Sequence, residues 1–252
     1  MKRKYEIAVL SKGAYARTIR LYVPKKADRA IIMHDGQNVF YDSDAAYKKS
    51  WRAIDALKSS GIKNTAIIGI DSVATRYDDY FPFPTELERL GMPLCGGKAD
   101  VYAEYISGTV IPYLDKRFGF KFYGMAGSSA GANMTAFYAS KRDERFKAYA
   151  MFSPAFFVSP AAYDKFFAET RFDPDALYAV YAGGNEDTGE IPDPETRKKI
   201  PQMYVNDAFA LTNALRGGGA KNIVLTYNHN GVHDETCWRE PERIFFEKFS
   251  AL

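Results

Sequence analysis

The feature that most constrains this chain is an alternation. Six short apolar runs, RAIIMHD (29–35), NTAIIGID (64–71), KFYGMAG (121–127), FKAYAMFS (146–153), LYAVYAGG (177–184) and KNIVLTYN (221–228), recur with longer segments between them. Continuous apolar runs of this length suit strands buried on both faces. Parallel strands need crossover connections, usually helical, so the alternation predicts a parallel sheet sandwiched by helices. Two earlier runs, YEIAVLS (5–11) and RTIRLYVP (17–24), are joined by a short Gly-containing link and read as an antiparallel opening pair. The expectation is an α/β protein: a mostly parallel, eight-stranded sheet with helices on both faces.

Helical spacing covers residues 47–61, closing on Gly61, and residues 98–118, where Pro112 should introduce a kink. It recurs over 130–142, 201–219 and 240–252, whereas 160–168 is ambiguous. Two irregular stretches, around 72–98 and 153–175, are lid-like, because loops of that length in a compact domain are usually functional. No internal repeat, low-complexity tract or linker divides the sequence, so residues 1–252 are read as one domain.

Composition narrows the function classes. Apolar residues make up 46% of the chain and charged residues 26%, enough to bury a core that holds a rigid site. The formal net charge of +3 is spread along the chain, which argues against a nucleic-acid or polybasic membrane surface. The basic N-terminus carries an apolar run too short and interrupted for a signal peptide, and no stretch approaches the roughly 20 apolar residues of a membrane span. Cys95 and Cys237 are the only cysteines, and the expectation is two reduced thiols in a cytoplasmic protein. Oligomeric state is not legible.

The segment GMAGSSAGANM (124–134) lies between an apolar run and a helix-like one. Gly127-Ser128-Ser129-Ala130-Gly131 matches G-x-S-x-G, in which a sharp strand-to-helix turn lifts the central serine, Ser129, above the sheet. Small residues two positions away relieve the crowding of that turn. Ala130 then presents a backbone N–H at a helix N-terminus, where negative charge is favoured. A phosphate loop would want Lys-Ser/Thr after the second glycine, and Ala-Asn stands there instead.

A serine hydroxyl needs a base. Of three histidines, His34 precedes the serine, while His229 and His233 follow the last strand and suit the chain order Ser, acid, His. Gly231 would let its loop swing His233 over the sheet edge. A zinc reading of the two late histidines is weak, because Asn230 replaces the glutamate of H-E-x-x-H. Glu186 and Asp187, just past the seventh strand, are the candidate acids that would hold the imidazole tautomer. The loop after the third strand should supply a second oxyanion donor, and the Gln37 amide is the candidate. Arg76, Tyr80 and Phe156, in the two irregular stretches, are candidate substrate contacts, with Trp238 near the base a fourth.

Four segments together, HDGQNVF (34–40), GSSAGA (127–132), YAGGNED (181–187) and GVHDETCWRE (231–240), resemble the esterase branch of the α/β-hydrolases. That branch contains feruloyl and acetylxylan esterases, enterobactin-type siderophore esterases, S-formylglutathione hydrolases and mycobacterial mycolyltransferases. The resemblance spans nearly the whole chain and implies the α/β-hydrolase fold. It implies Ser129 as nucleophile, His233 as base, Glu186 as the acid of a G-x-x-E/D motif, and oxyanion amides at Gln37 and Ala130. Ala132 stands where the family usually has a second glycine. No cofactor or metal is implied. The expected partner is a small-molecule or carbohydrate-linked ester, hydrolysed through an acyl-enzyme. Thioester hydrolysis, acyl transfer and a non-catalytic binding module are the alternatives.

Overall fold

The computed structural model describes residues 4–13, 15–85, 93–187, 189 and 193–252. Eight strands form one sheet: β1 (Glu6–Lys12), β2 (Tyr15–Tyr22), β3 (Arg29–His34), β4 (Thr65–Ile70), β5 (Tyr123–Ser128), β6 (Phe146–Phe152), β7 (Leu177–Gly183) and β8 (Asn222–Asn228). Their order is β1-β2-β4-β3-β5-β6-β7-β8. β2 pairs antiparallel with both β1 and β4, and every other pairing is parallel. The mostly parallel sheet expected from the sequence is therefore present.

Alternate strand residues feed two cores. Ala30 and Ile32 of β3 enter one, Ile31 and Met33 the other, as the period of two in a strand requires. The larger core packs under α3 (Ala99–Tyr105), α4 (Ile111–Phe118), α5 (Ala130–Ser140), α6 (Pro160–Glu169) and α8 (Ile200–Gly217). The smaller lies under α1 (Ala53–Ser59) and α9 (Glu235–Ser250). Burying a sheet on both faces explains why its central strands read as unbroken apolar runs. Every residue of α5 except Ser140 is buried, so this helix has no polar face.

Several boundaries differ from expectation. The first helix occupies only Ala53–Ser59, because Arg52 before it adopts a left-handed conformation. The last helix begins five residues earlier than its spacing suggested: the Asp234 side chain accepts from the Thr236 and Cys237 N–H groups and caps it. Pro241 then lies inside α9 rather than near its start. Between α3 and α4 the backbone widens into a π turn, Ile106–Val110, just before Pro112, which places the expected irregularity a few residues upstream of the proline. The ambiguous segment at 160–168 is helix α6. Within the first lid-like stretch lie α2 (Arg76–Tyr80) and a bridge from Thr85 to Cys95, while residues 86–92 fall outside the described set. The short helix α7 (Pro194–Arg197) precedes α8. Among the described residues no helix is long and apolar enough to cross a membrane.

Candidate active site

Ser129 occupies the turn from β5 into α5 with φ 54° and ψ −125°, a conformation that L residues rarely adopt. Two bonds hold it there: its N–H donates to the Phe152 carbonyl at 2.9 Å, and its own carbonyl accepts from Ala132 at 2.9 Å. The glycine two residues before it is a steric necessity. A Cβ on Gly127 would lie 2.5 Å from the Gly131 carbonyl oxygen and 2.8 Å from the His34 ring. His34 is thus the floor of the turn, and burial drives its pKa down to about 4.

His233 sits on the loop after β8, with Nδ1 2.7 Å from Glu186 Oε2. A carboxylate only accepts, so Nδ1 carries the proton and Nε2 is left as the acceptor. Glu186 is fully buried, and its other oxygen accepts from the Ser153 hydroxyl and the Gly183 N–H, each at 2.5 Å. The Trp238 indole N–H in turn donates to Ser153 Oγ at 2.9 Å. The imidazole is packed by the Tyr204 ring, 4.6 Å away and tilted 33°, and by the edge-on Trp238 ring at 5.0 Å. Of the two candidate acids, then, Glu186 reaches the histidine. Asp187 pairs with Arg197 instead.

Ser129 and His233 line one cleft of about 620 Å³. Among the described residues no hydrogen bond joins their side chains. The buried Tyr204 touches both, meeting the Ser129 side chain with its hydroxyl and the imidazole with its ring. His229 stacks edge-on with Tyr227 and does not line the cleft. Gly231 is required for close packing rather than freedom: a Cβ there would collide with the Tyr181 hydroxyl.

The opposite wall is the loop after β3. Asp35 adopts φ 54° and ψ 51°, and a single 3-10 turn, Gly36–Asn38, follows. The Gln37 side chain is clamped to Ser72, donating to its hydroxyl at 2.8 Å and accepting its N–H at 3.1 Å. Among the described residues, neither the Gln37 nor the Ala130 backbone N–H donates to another group of the chain. Asp35 is braced by a bidentate bond from Arg76, at 2.7 and 2.8 Å. Burial alone would raise the Asp35 carboxyl, but Arg76, helped by Ser72 and His34, offsets it and the pKa ends below the ordinary value.

The candidate substrate contacts divide. Arg76 and Trp238 line the cleft. Tyr80 does not: it is buried, and its hydroxyl accepts from the Asp35 N–H at 3.1 Å. Phe156 is likewise buried, packed on Tyr163 and Phe167. Both rings hold the irregular segments to the domain, as aromatic side chains in a lid commonly do. Three features escaped sequence reasoning: the Ser153 link, the Tyr204 contact and the Arg76–Asp35 brace. Each joins residues far apart in the chain, and Ser153-Pro154 offers at most a polar residue at a strand end as its signal. Among the described residues no three potential metal ligands converge.

Solved structures with this fold include an IroE-like serine hydrolase from Shewanella oneidensis, with a TM-score of 0.72 at 14% identity, covering 98% of this chain and 80% of that one. The siderophore hydrolase EstA from Aspergillus nidulans aligns with a TM-score of 0.75 at 16% identity, over 99% and 95% of the two chains. The enterobactin esterase FES from Shigella flexneri aligns at 0.66 and 14% identity, over 99% of this chain and 61% of that one. No curated protein matches the sequence. A family model described as "Putative esterase" matches residues 15–241, all but the two ends of the chain, and the protein belongs to this family of α/β-hydrolase-fold esterases.

Proposed function

We propose that this esterase works by nucleophilic catalysis, with Ser129 attacking the ester carbonyl and His233 Nε2 taking the serine proton. Glu186 keeps the proton of the resting imidazole on Nδ1 and stabilises the imidazolium that forms. The unpaired N–H groups of Ala130 and Gln37 receive the developing oxyanion. One such donor is typically worth about 3 kcal/mol of transition-state stabilisation. His233 then protonates the departing alcohol, and a water molecule, activated by the same imidazole, releases the acyl group from Ser129.

The observation that carries this reading is the conjunction at one cleft of a strained serine at a helix start and a histidine bonded to a buried glutamate. Esters of small alcohols or of carbohydrates, with an acetyl or aryl acyl group, suit a cleft lined by both charged side chains and the Tyr47, Tyr77 and Trp238 rings. Two free thiols support a reducing, cytoplasmic setting. Ser129→Ala tests the assignment. It should abolish p-nitrophenyl acetate hydrolysis while leaving the melting temperature within a few degrees. A variant that hydrolyses the ester at the parent rate would remove Ser129 from the mechanism.

A further inference from the structure

Four acids line the cleft: Asp35, Asp187, Asp234 and Glu235. Three are neutralised by a neighbouring cation, Asp35 by Arg76 at 2.7 Å, Asp187 by Arg197 at 2.8 Å and Asp234 by Lys49 at 2.7 Å. Glu235 is the exception: among the described residues no Lys or Arg comes within ion-pair distance. It is only 5% exposed. Its Oε1 accepts from Asn38 Nδ2 at 2.9 Å. Asn38 cannot turn over to offer its oxygen instead, because Oδ1 is already accepting from the Ala46 N–H at 3.0 Å. Beyond Asn38 and its own backbone N–H, the Glu235 carboxylate has no donor among the described residues.

A helix-capping role does not account for this arrangement. Asp234 already caps α9 through the Thr236 and Cys237 N–H groups, and the bond from its own N–H satisfies only part of the Glu235 carboxylate, which gains nothing from burial by complementing the helix dipole. Burial instead raises the Glu235 carboxyl above its ordinary pKa, so the position is costly to the free protein. A donor on a bound molecule would relieve that cost.

The position indicates which part of a substrate could supply it. When the tetrahedral intermediate breaks down, the alcohol oxygen must meet His233. The alcohol portion therefore lies along the loop that carries His233, and Glu235 is two residues further on. We propose that Glu235 is a specificity residue that accepts a hydrogen bond from an O–H or N–H donor on the alcohol portion of the ester, so that esters of polyols or protonated amino alcohols are preferred over esters of plain alcohols. This rests on the Ser129–His233 reading for its orientation.

The test uses three benzoate esters that share one acyl group: ethyl, 2-hydroxyethyl and 2-(dimethylamino)ethyl. Affinities are measured by calorimetry at pH 7 on Ser129→Ala protein, where no turnover intervenes. At least one donor-bearing ester should bind about tenfold more tightly than the ethyl ester, the size of one hydrogen bond to a charged group. Which one does so separates a hydroxyl from an ammonium preference. In Ser129→Ala/Glu235→Gln the advantage should shrink to within about twofold, because a glutamine that keeps Oε1 on Asn38 turns its NH2 toward the donor. No preference in Ser129→Ala overturns the proposal, as does a preference that persists in the double variant. If the preference is seen but Ser129→Ala hydrolyses p-nitrophenyl acetate at the parent rate, the Glu235 contact stands and the Ser129 mechanism fails.

Discussion

Ser153 stands between the Trp238 indole and the Glu186 carboxylate, and Ser153→Ala cuts both bonds at once. Glu186 Oε1 would lose a hydroxyl donor at 2.5 Å and keep only the Gly183 N–H. A hydrogen bond to a charged group contributes about 1.5–3 kcal/mol, and an orphaned buried N–H, here Trp238 Nε1, costs about 1–3 kcal/mol. The two terms share one site and do not add fully, so the expected destabilisation is about 2–4 kcal/mol. For a chain of this size that is a fall of roughly 5–12 °C in Tm. Glu186 would also be freer to tilt away from His233, and kcat should fall about tenfold with KM nearly constant. Calorimetry and p-nitrophenyl ester kinetics read the two effects. Trp238→Phe, which keeps the ring and removes only the N–H, should lower Tm less and leave the Ser153–Glu186 bond in place. A Ser153→Ala protein with parental Tm and kcat would refute the reasoning that this link holds the acid.

Glu186→Gln should lower kcat by at least about a hundredfold, whereas Asp187→Asn, which breaks only the ion pair with Arg197, should stay within about threefold; the reverse ranking would exchange the acids. His34, held at a pKa of about 4 by burial, stays neutral in the fold while the unfolded chain takes up a proton below about pH 6.5. Its folded pKa is the lower one, so stability should fall by about 3 kcal/mol between pH 6.5 and 4, and His34→Gln should flatten that slope in urea titrations. Asp207 on α8 accepts from the Phe157 N–H at 2.7 Å, and burial raises its pKa to about 7. A raised acid makes stability decline as pH climbs from about 4 to 7, so Asp207→Asn should be stabilising at pH 8 and lose that advantage at pH 4. An Asp207→Asn protein with the parent's pH profile would show that another group sets the slope.

The sheet was legible because its central strands are buried on both faces, which leaves unbroken runs such as AIIM in β3 and AIIGI in β4. Helix limits were less so. The start of α9 depends on the Asp234 side chain folding back onto two N–H groups, and Pro241 is accommodated inside the helix. The strand-to-helix turn at Ser129 was legible since its constraint is local: a Cβ on Gly127 would strike the backbone of Gly131. The choice between Glu186 and Asp187 could not be made from spacing, as it depends on which one turns inward to Ser153 and His233. Tyr80 and Phe156 were expected at the substrate, yet aromatic density in a segment does not say which way a ring points. Arg76, expected at the substrate, does line the cleft, but it also pairs with Asp35, 41 residues away in sequence.

Rapid-quench mass spectrometry of the protein mixed with excess p-nitrophenyl acetate tests the central claim most directly. The account predicts a burst of p-nitrophenol with one acetyl group mapped to Ser129, and neither burst nor adduct in Ser129→Ala. An acetyl group found on another residue, or turnover with no acyl adduct at any time point and a full burst in the alanine variant, would contradict it.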